Sequence, residues 1–310
     1  MPDTIDTKNV MPPHLVATIL VNWNGVNDTC DCIDSLKTLE YDNHIVIVID
    51  NGSVDDSVSK LRMLYPQVEV IEAGENLGFG RACNLGMKKA FDDGADFAYL
   101  LNNDCVVEAS TIRQLVTAAL AYHADITGSV NYYFNEPERI CFAGGTLSIN
   151  RGTCQHFQTT LTSTPYEVQF VTGAAMLISR KAFSQLHGFD ESYFAYFEDA
   201  DLCLRANKAG FKLMVAPESR VWHKVSRSMG GHESPRQFYY DTRSRLQFVS
   251  AHTRGFHKVI FHARFAMEVL RKGAAAVISP TELRRRRFQS VLRGIRDYAR
   301  GYQGPMPEDV

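Results

Sequence analysis

The sequence predicts an α/β protein with a mostly parallel central sheet flanked by helices, followed by a helical C-terminal extension. Short β-branched runs alternate with helical patterns in the first 125 residues, which is typical of parallel βαβ units. Polar residues follow three of these runs, as they do at the ligand-binding edge of an open parallel sheet. From residue 237 onward the pattern is helical to the end of the chain.

The first half contains four predicted strands whose composition is apolar enough for burial on both faces. These strands are residues 15–21, 44–50, 68–72 and 97–102. Several of the helices between them begin after an Asp or Ser, which are favourable N-cap residues. The predicted helices are residues 28–39, 55–65, 80–91 and 110–122.

The middle of the chain changes character, because glycine and proline interrupt short apolar runs. We expect an antiparallel or mixed extension of the sheet here, with short strands at 140–142, 146–149 and 167–171 and a loop at 151–165. An acidic helix at 196–205 precedes one more strand, at 211–216, which Pro217 ends.

The net charge of −2 conceals an asymmetry between an acidic body and a basic tail. Residues 254–300 hold twelve Lys and Arg against three acidic residues. The tail could bind nucleic acid, pack on the catalytic domain or a second subunit, or lie on an anionic membrane. The spacing of Phe288, Val291, Leu292, Ile295 and Tyr298 favours an amphipathic membrane-surface helix, and the acidic body argues against nucleic acid. Residues 256–278 are another candidate, apolar in patches but interrupted by Arg264, Arg271 and Lys272, so they cannot span a membrane.

Compartment signals favour a cytoplasmic protein. The seven cysteines are scattered and form no metal-binding or disulfide pattern, which indicates a reducing compartment. Residues 1–13 are polar and are expected to be a flexible N-terminus without a secretory signal. No apolar run reaches the length of a membrane span, so we expect a peripheral association at the inner face of the cell membrane.

Polar side chains at three strand ends predict one ligand site. They are Asn22 and Asn24 after the first strand, Asp50 and Ser53 after the second, and Asn102, Asn103 and Asp104 after the fourth. Because the carboxyl ends of parallel strands share one edge of the sheet, these groups are expected to face one crevice. A plain turn with a helix cap is the alternative explanation for residues 50–53.

The glycine-rich segment 78–84 does not match a dinucleotide-binding fingerprint. Cys83 occupies the third glycine position, and the loop follows the third strand instead of the first. The loop could still offer backbone N–H groups to a phosphate, with Arg81 adding positive charge. A tight strand-to-helix connection explains Gly78 and Gly80 equally well.

Two groups are candidate metal ligands. The oxygen atoms of residues 102–104 suit Mg²⁺ or Mn²⁺ bound to a diphosphate, although Asp104 alone carries full charge. His223 could add an imidazole, which Mn²⁺ accepts more readily than Mg²⁺. A structural histidine is the alternative.

Glu198, Asp199 and Asp201 form an acidic cluster at the start of the predicted helix. Acidic residues stabilise a helix N-terminus, and capping could explain one or two of them. The adjacent aromatic residues would, however, raise the pKa of a carboxyl group by lowering the local polarity; they are Tyr193, Phe194, Tyr196 and Phe197. This environment favours a general base that activates a hydroxyl group.

The motifs together resemble the inverting family 2 glycosyltransferases, and within them the rhamnosyltransferase and galactofuranosyltransferase branch. The resemblance covers about residues 15–249. It rests on residues 21–25, 50–53, 75–84, 102–104, 188–190, 197–205 and 222–223, together with Gly173.

The resemblance implies a GT-A fold and a role for each matching residue. It makes Asp199 the general base, with Glu198, Asp201, Gly173 and Trp222 supporting it or the acceptor. Asp104 and His223 become the ligands of Mg²⁺ or Mn²⁺, although Asn102 replaces the first carboxylate of the family's metal motif. The implied nucleotide-sugar contacts are Asn22, Asn24, Asp50, Ser53, Asn76, Gly78, Arg81, Asn84, Asn102 and Asn103.

The resemblance also implies a domain organisation and partners. The catalytic domain would span residues 14–236, with a nucleotide-binding half at 14–125, an acceptor-binding half at 126–236 and a basic helical extension at 237–310. We expect a transferase of cell-envelope polysaccharide synthesis, with dTDP-rhamnose favoured as donor and a glycan or polyprenyl-linked acceptor. A UDP-hexose donor, or a non-catalytic nucleotide-sugar or glycan-binding module, is the alternative, and formation of a homo-oligomer stays open.

Overall fold

The computed structural model describes residues 14–224, 234–278 and 281–307. The predicted flexible N-terminus at 1–13 lies outside the described residues.

The first half of the chain alternates strands and helices, as predicted. Its strands are β1 (Val16–Asn22), β2 (His44–Asp50), β3 (Glu69–Glu72), β4 (Phe97–Asn102) and β5 (Cys105–Val107). Its helices are α1 (Val26–Leu36), α2 (Ser57–Leu64), α3 (Phe79–Asp92) and α4 (Thr111–Tyr122).

The second half adds shorter strands before the chain becomes helical. Its strands are β6 (Ile126–Tyr133), β7 (Glu136–Phe142), β8 (Gly145–Ser148), β9 (Thr153–His156), β10 (Tyr166–Glu167), β11 (Ala175–Ser179) and β12 (Leu213–His223). Its helices are α5 (Arg180–Leu186), α6 (Glu198–Lys208), α7 (Pro235–His252), α8 (Gly255–Ile278) and α9 (Glu282–Ala299).

The central sheet is mixed and follows the order β10-β12-β6-β11-β4-β1-β2-β3. The β4-β1-β2-β3 portion is parallel throughout, and β12 is parallel to β6. β11 runs antiparallel to both β4 and β6 and so joins the two parallel portions. The predicted α/β architecture with a central sheet flanked by helices is confirmed.

Alternation along each strand divides the core between the two faces of the sheet. Ala17 and Ile19 of β1 pack with the inner residues of α3 and α6. Val16 and Leu20 of the same strand pack with α1 and α4 on the other face. Helices therefore cover both faces, and the polar strand ends are left at one edge.

Three details of the sequence prediction are wrong. The predicted loop 151–165 contains β9, which pairs with β8 in a separate two-stranded sheet. β3 is not buried on both faces, because it is the last strand of the sheet and Glu69 and Glu72 are exposed. Pro217 does not end its strand, because β12 continues to His223 through a register shift between Ala216 and Arg220.

The C-terminal helices pack onto the body and on one another. Leu246 and Phe248 of α7 belong to the same buried cluster as α6. α9 turns its apolar side toward α7, where Val291 is buried and Gly294 lies against the carbonyl of Tyr239. No helix in the described ranges is long and apolar enough to cross a membrane.

Candidate active site

A cleft of about 1070 Å³ opens at the carboxyl ends of β1 and β4. Residues from the strand ends, the β8–β9 hairpin, the segment before α6 and the start of α7 line it. The predicted site residues in its wall are Asn24, Asn76, Gly78, Asn102, Asn103, Asp104, Gly173, Glu198, Asp199 and His223. The topology therefore brings together residues that are up to 199 positions apart in the sequence.

The turn after β2 is fixed by buried hydrogen bonds to the end of β1. Asn22 donates from Nδ2 to Asp50 Oδ1 at 2.8 Å and to Ser53 Oγ at 3.1 Å. The other carboxylate oxygen of Asp50 accepts from the backbone N–H of Ser53 at 3.0 Å. Asn24 follows with a positive φ of 50° and accepts from the N–H of Val54. Asn22 and Asp50 thus hold the loop that presents Asn24 to the cleft.

Asn51, which the sequence analysis did not single out, organises the next loop. Its Oδ1 accepts from Leu77 N at 2.8 Å, and its Nδ2 donates to Asn76 Oδ1 at 3.1 Å. Asn76 Oδ1 also accepts from the N–H of Gly78 at 3.0 Å. These bonds shape the loop before α3, and Asn51, Asn76 and Gly78 all face the cleft.

Arg81 and Asn84 are engaged with the segment before α6. Asn84 is 8% exposed, donates to the carbonyl of Phe189 at 2.9 Å and accepts from the Phe189 N–H at 2.8 Å. Arg81 Nε lies 3.4 Å from a carboxylate oxygen of Glu191. Both residues connect α3 to this segment, and their contacts with a nucleotide stay predictions.

Asp104 and His223 meet at the centre of the cleft, because β12 ends beside the turn after β4. Their Oδ1 and Nε2 atoms are 3.0 Å apart, and Asn102 Nδ2 is 3.3 Å from the same imidazole nitrogen. The backbone of Lys224 donates to the Asp104 carbonyl at 3.0 Å. Its ammonium group is 2.7 Å from both Asp28 and Asp31 of α1, which fixes this end of β12.

These side chains fit a divalent cation. One carboxylate, one imidazole and a neighbouring amide face open space, which leaves positions for the oxygens of a diphosphate. Cys105 has a ligand atom within 4.8 Å of those of Asp104 and His223. Burial raises the pKa of its thiol well above the ordinary value, so it stays protonated and is a poor ligand for Mg²⁺ or Mn²⁺.

Asp199 also lines the cleft and is held by backbone donors. Gly173 N donates to its Oδ2 at 3.1 Å, and Ala200 N donates to its Oδ1 at 2.8 Å. Burial raises the pKa of Asp199, while these two N–H groups oppose the rise. The raised pKa means a carboxylate of increased basicity, as a general base requires.

Glu198 lies beside Asp199 but is 7% exposed, and its Oε2 has no hydrogen-bond partner among the described residues. Burial, followed by the charge of Asp199, raises the pKa of Glu198 to about 8. With a pKa of about 8, the Glu198 carboxyl is mostly protonated at neutral pH.

Asp201 is not part of the cleft wall and contacts the guanidinium of Arg205 and the imidazole of His252. Arg205 Nε and His252 Nε2 each lie 2.6 Å from one of its oxygens. These contacts lower the pKa of Asp201 although burial opposes them. Arg205 follows Asp201 by one turn of α6, and His252 is the last residue of α7, so Asp201 attaches α6 to the end of α7.

Trp222 is also outside the cleft wall. Its indole donates to the carbonyl of Pro137 at 3.1 Å, and its ring lies 6.1 Å from that of Tyr132. It therefore attaches β12 to β7, and a contact with the acceptor stays a prediction.

The segment before α6 is strained, and α7 holds it in place. Tyr196 and Phe197 have positive φ values of 64° and 70°, which non-glycine residues rarely adopt. Ser244 of α7 donates to the Ala195 carbonyl at 2.8 Å, and Phe248 packs on Phe197 with ring centroids 5.4 Å apart. These contacts fix the peptide that leads directly into Glu198 and Asp199.

Several cleft residues had no signal in the sequence that could have identified them. His156 comes from β9, in the predicted loop, and burial lowers its pKa while Asp199 opposes this. Arg236 stacks on Trp23, with its guanidinium carbon 5.7 Å from the ring centroid. The residues of this kind in the cleft wall are His156, Thr172, Arg236, Tyr240, Asp241, Arg245, Tyr302 and Met306.

Sequence comparison finds rhamnosyltransferases among the relatives. The chain is 29% identical over 210 residues to the N-acetylglucosaminyl-diphospho-decaprenol L-rhamnosyltransferase of Mycobacterium tuberculosis, covering 60% of this chain and 68% of that protein. It is 22% identical to the dTDP-rhamnosyl transferase RfbF of Shigella flexneri, covering 68% of this chain and 69% of the relative.

Structural comparison finds glycosyltransferases with the same fold. The mannosyltransferase PcManGT of Pyrobaculum calidifontis, solved with GDP-Man and Mn²⁺, matches with a TM-score of 0.60 at 14% identity over 92% of this chain and 87% of that one. GalNAc-T7, solved with UDP, GalNAc and Mn²⁺, matches with a TM-score of 0.60 at 18% identity. The match covers 68% of this chain and 43% of the GalNAc-T7 chain.

The fold shared with these neighbours is the one that the sequence motifs imply. The family model for glycosyl transferase family 2 matches residues 18–186, which is more than half of the chain. The two structural neighbours establish the GT-A fold and no more at these identities. The chain belongs to glycosyl transferase family 2.

Proposed function

We propose that this glycosyltransferase inverts the anomeric carbon of a nucleotide diphosphate sugar, with dTDP-rhamnose the favoured donor, as it transfers the sugar to a hydroxyl group. A glycan or polyprenyl-linked molecule of cell-envelope synthesis is the proposed acceptor. The observation that carries the proposal is that the Asp199 carboxylate lines the same cleft as Asp104 and His223, which contact each other.

Asp199 is the proposed general base. Its carboxylate accepts the proton of the acceptor hydroxyl while that oxygen bonds to the anomeric carbon and the bond from this carbon to the diphosphate breaks. The attack comes from the side opposite the leaving group, so a single displacement inverts the configuration. Gly173 N–H keeps the carboxylate turned toward the cleft at 3.1 Å.

Asp104 and His223 are the proposed ligands of Mn²⁺ or Mg²⁺. A bound cation would supply positive charge to the departing diphosphate. The neighbours solved with Mn²⁺ and a nucleotide or nucleotide sugar support this role for the cleft.

The donor and acceptor are proposed from relatives. The names of the two rhamnosyltransferases specify dTDP-rhamnose in one case and a diphospho-decaprenol acceptor in the other. The structural neighbours were solved with UDP or GDP-Man, so UDP-hexoses and GDP-mannose belong in the test.

A donor panel tests the reaction. Release of nucleotide diphosphate is measured for dTDP-rhamnose, UDP-galactose, UDP-N-acetylglucosamine and GDP-mannose, with Mn²⁺ and a lipid-linked glycan acceptor. We expect dTDP-rhamnose to be used, and Asp199→Asn to lower kcat about 10³-fold while the affinity for dTDP is retained. A variant that released diphosphate as fast as the parent in the presence of acceptor would disprove the role of Asp199. Use of a UDP-hexose instead of dTDP-rhamnose would overturn the donor assignment.

Binding of Mn²⁺ tests the ligands without relying on turnover. Electron paramagnetic resonance of Mn²⁺ titrated into the protein with dTDP reports the bound fraction. Asp104→Asn and His223→Ala are each expected to weaken binding about 10-fold or more. Asp34→Asn, which changes an exposed carboxylate on α1 outside the cleft wall, is the matched control and should leave binding within a few-fold. Equal affinity in all four proteins would show that the cation binds elsewhere.

A further inference from the structure

The outward side of α8 exposes a continuous apolar stripe. Phe256, Val259, Met267, Leu270, Val277 and Ile278 are 65% to 81% exposed. Successive residues of an α-helix are separated by about 100°, so these six positions fall within a sector about 100° wide. The stripe extends along about 33 Å of the helix.

The inward side of the same helix already has its partners. Phe261 is 1% exposed and stacks with Phe265 at a centroid distance of 5.7 Å. Glu268 also turns inward, where Arg245 and Lys272 lie 2.9 Å and 2.8 Å from its carboxylate. The residues of the stripe therefore do not contribute to the attachment of α8 to the body.

The charge of this part of the molecule is strongly positive. α8 and α9 together hold ten Lys and Arg and three acidic residues. Arg264 and Arg271 border the stripe on one side, at helix positions about 80° and 60° from Phe256. An apolar stripe beside basic side chains has the composition of a helix that lies in the interface of an anionic membrane.

A second copy of this chain is a poorer occupant. Pairing through the stripe would place two clusters of like charge next to each other, which disfavours association. An anionic lipid surface supplies both the apolar layer and the opposite charge.

The structure also distinguishes the two helices that are candidates for membrane contact in the sequence. The sequence favoured α9, yet its predicted apolar residues Val291, Ile295 and Tyr298 are buried or half-buried against the body. α8 keeps its apolar residues exposed instead. The apolar residues of the two helices differ in exposure because α9 packs along α7, whereas α8 contacts the body on one side only.

We propose that the Phe256–Ile278 stripe of α8 inserts into the interface of an anionic membrane. Arg245 connects this surface to the cleft, since it lines the cleft wall and lies 5.5 Å from the Phe261 ring on the inward side of α8. Arg245 therefore lies between the active-site cleft and the helix that carries the stripe. This arrangement suits the proposed lipid-linked acceptor, but the insertion of α8 does not depend on the sugar transferred.

Co-sedimentation of the full chain with vesicles tests the inference. We expect binding to vesicles of equal parts phosphatidylglycerol and phosphatidylcholine, and little to phosphatidylcholine alone. Met267→Glu and Leu270→Glu should each weaken binding at least about tenfold, because each places a charge at an apolar contact. Arg264→Gln and Arg271→Gln should each weaken it about fivefold.

Met63→Glu is the matched control, since Met63 is 72% exposed on α2, against 67% for Met267. It should leave vesicle binding unchanged. Thermal unfolding of all variants should match the parent because every changed side chain is exposed.

Three results would overturn the inference: equal binding to neutral vesicles, an equal loss with Met63→Glu, or a dimer in solution that Met267→Glu dissociates. Transfer to a water-soluble acceptor is measured in parallel without vesicles. It should be unchanged in Met267→Glu, which separates a failure of membrane binding from a failure of the proposed reaction.

Discussion

Glu198 and Asp199 show how two adjacent carboxyl groups acquire different properties. Glu198 is buried without hydrogen-bond donors to its Oε2, whereas Asp199 accepts two backbone N–H groups and faces the cleft. We therefore expect Glu198→Gln to retain kcat within about tenfold, because a neutral amide replaces a carboxyl that is already protonated. Asp199→Asn should lose about 10³-fold. Steady-state kinetics of the two variants at pH 7 measures the difference.

The opposite order would contradict this assignment. If Glu198→Gln were the inactive variant and Asp199→Asn retained turnover, Glu198 would be the base.

Glu198 should also make stability depend on pH. Its carboxyl ionises near pH 4.5 in the unfolded chain and near pH 8 in the folded chain. Between these values the folded chain holds the extra proton, so the contribution of Glu198 to the free energy of unfolding falls as pH rises. The free energy of unfolding of Glu198→Gln, relative to that of the parent, should therefore increase from pH 5 to pH 8. Above pH 8 the difference should stay constant.

Urea unfolding at pH 5, 6, 7 and 8 measures that difference. Glu167→Gln, at an exposed position of β10, is the control and should give a constant difference. A flat difference for Glu198→Gln as well would show that Glu198 is ionised in the folded protein.

Packing between the start of α3 and the segment before α6 controls the position of Asp199. Gly78 has a φ of 83°, and a Cβ atom there would overlap the carbonyl oxygen of Phe194. Gly78→Ala should therefore displace the segment and lower kcat at least tenfold, since small misplacements of a base are costly. Kinetic assays of the purified variant test this.

Gly74→Ala is a suitable control for that experiment. Gly74 has nearly the same φ, 80°, but no atom lies within 4 Å of the added Cβ. Both variants place an alanine at a positive φ, which costs on the order of 1–3 kcal/mol. Equal losses of activity would attribute the effect of Gly78→Ala to strain and not to the contact with Phe194.

α7 joins the catalytic body to the C-terminal extension so closely that the expected boundary at residues 236/237 divides one core. His252 binds the buried Asp201, and Phe248 packs on Phe197. A chain ending at residue 234 lacks these contacts. It should lose cooperative unfolding, because the buried carboxylate of Asp201 would have fewer partners and a cavity would open beside Phe197. The full chain should show a single transition in calorimetry.

A truncated chain that unfolded in one transition with unchanged activity would contradict this expectation. It would support residues 14–236 as an independent catalytic domain.

The first half of the fold could be predicted because its signals are local. Apolar strands such as 44–50 and 97–102 and their N-capped helices depend on residues within one short window, and the structure places both strands at those bounds. β6 and β11 were not predicted, because each is defined by its neighbours in the sheet and not by a distinctive pattern. Pro217 misled the prediction for a similar reason, since only the paired strand shows that a register shift accommodates it.

The family could be recognised from the sequence alone, because the motifs around Asp50, Asp104, Asp199 and His223 have residue types and an order that local patterns reveal. The tertiary structure decided which of these groups face one cleft and which hold it together. Asp199 and Asp201 are two residues apart, yet one accepts backbone donors in the cleft and the other pairs with Arg205 and His252 behind it. Helical geometry turns their side chains in different directions, and only the packing of α6 against α7 shows what each side chain meets.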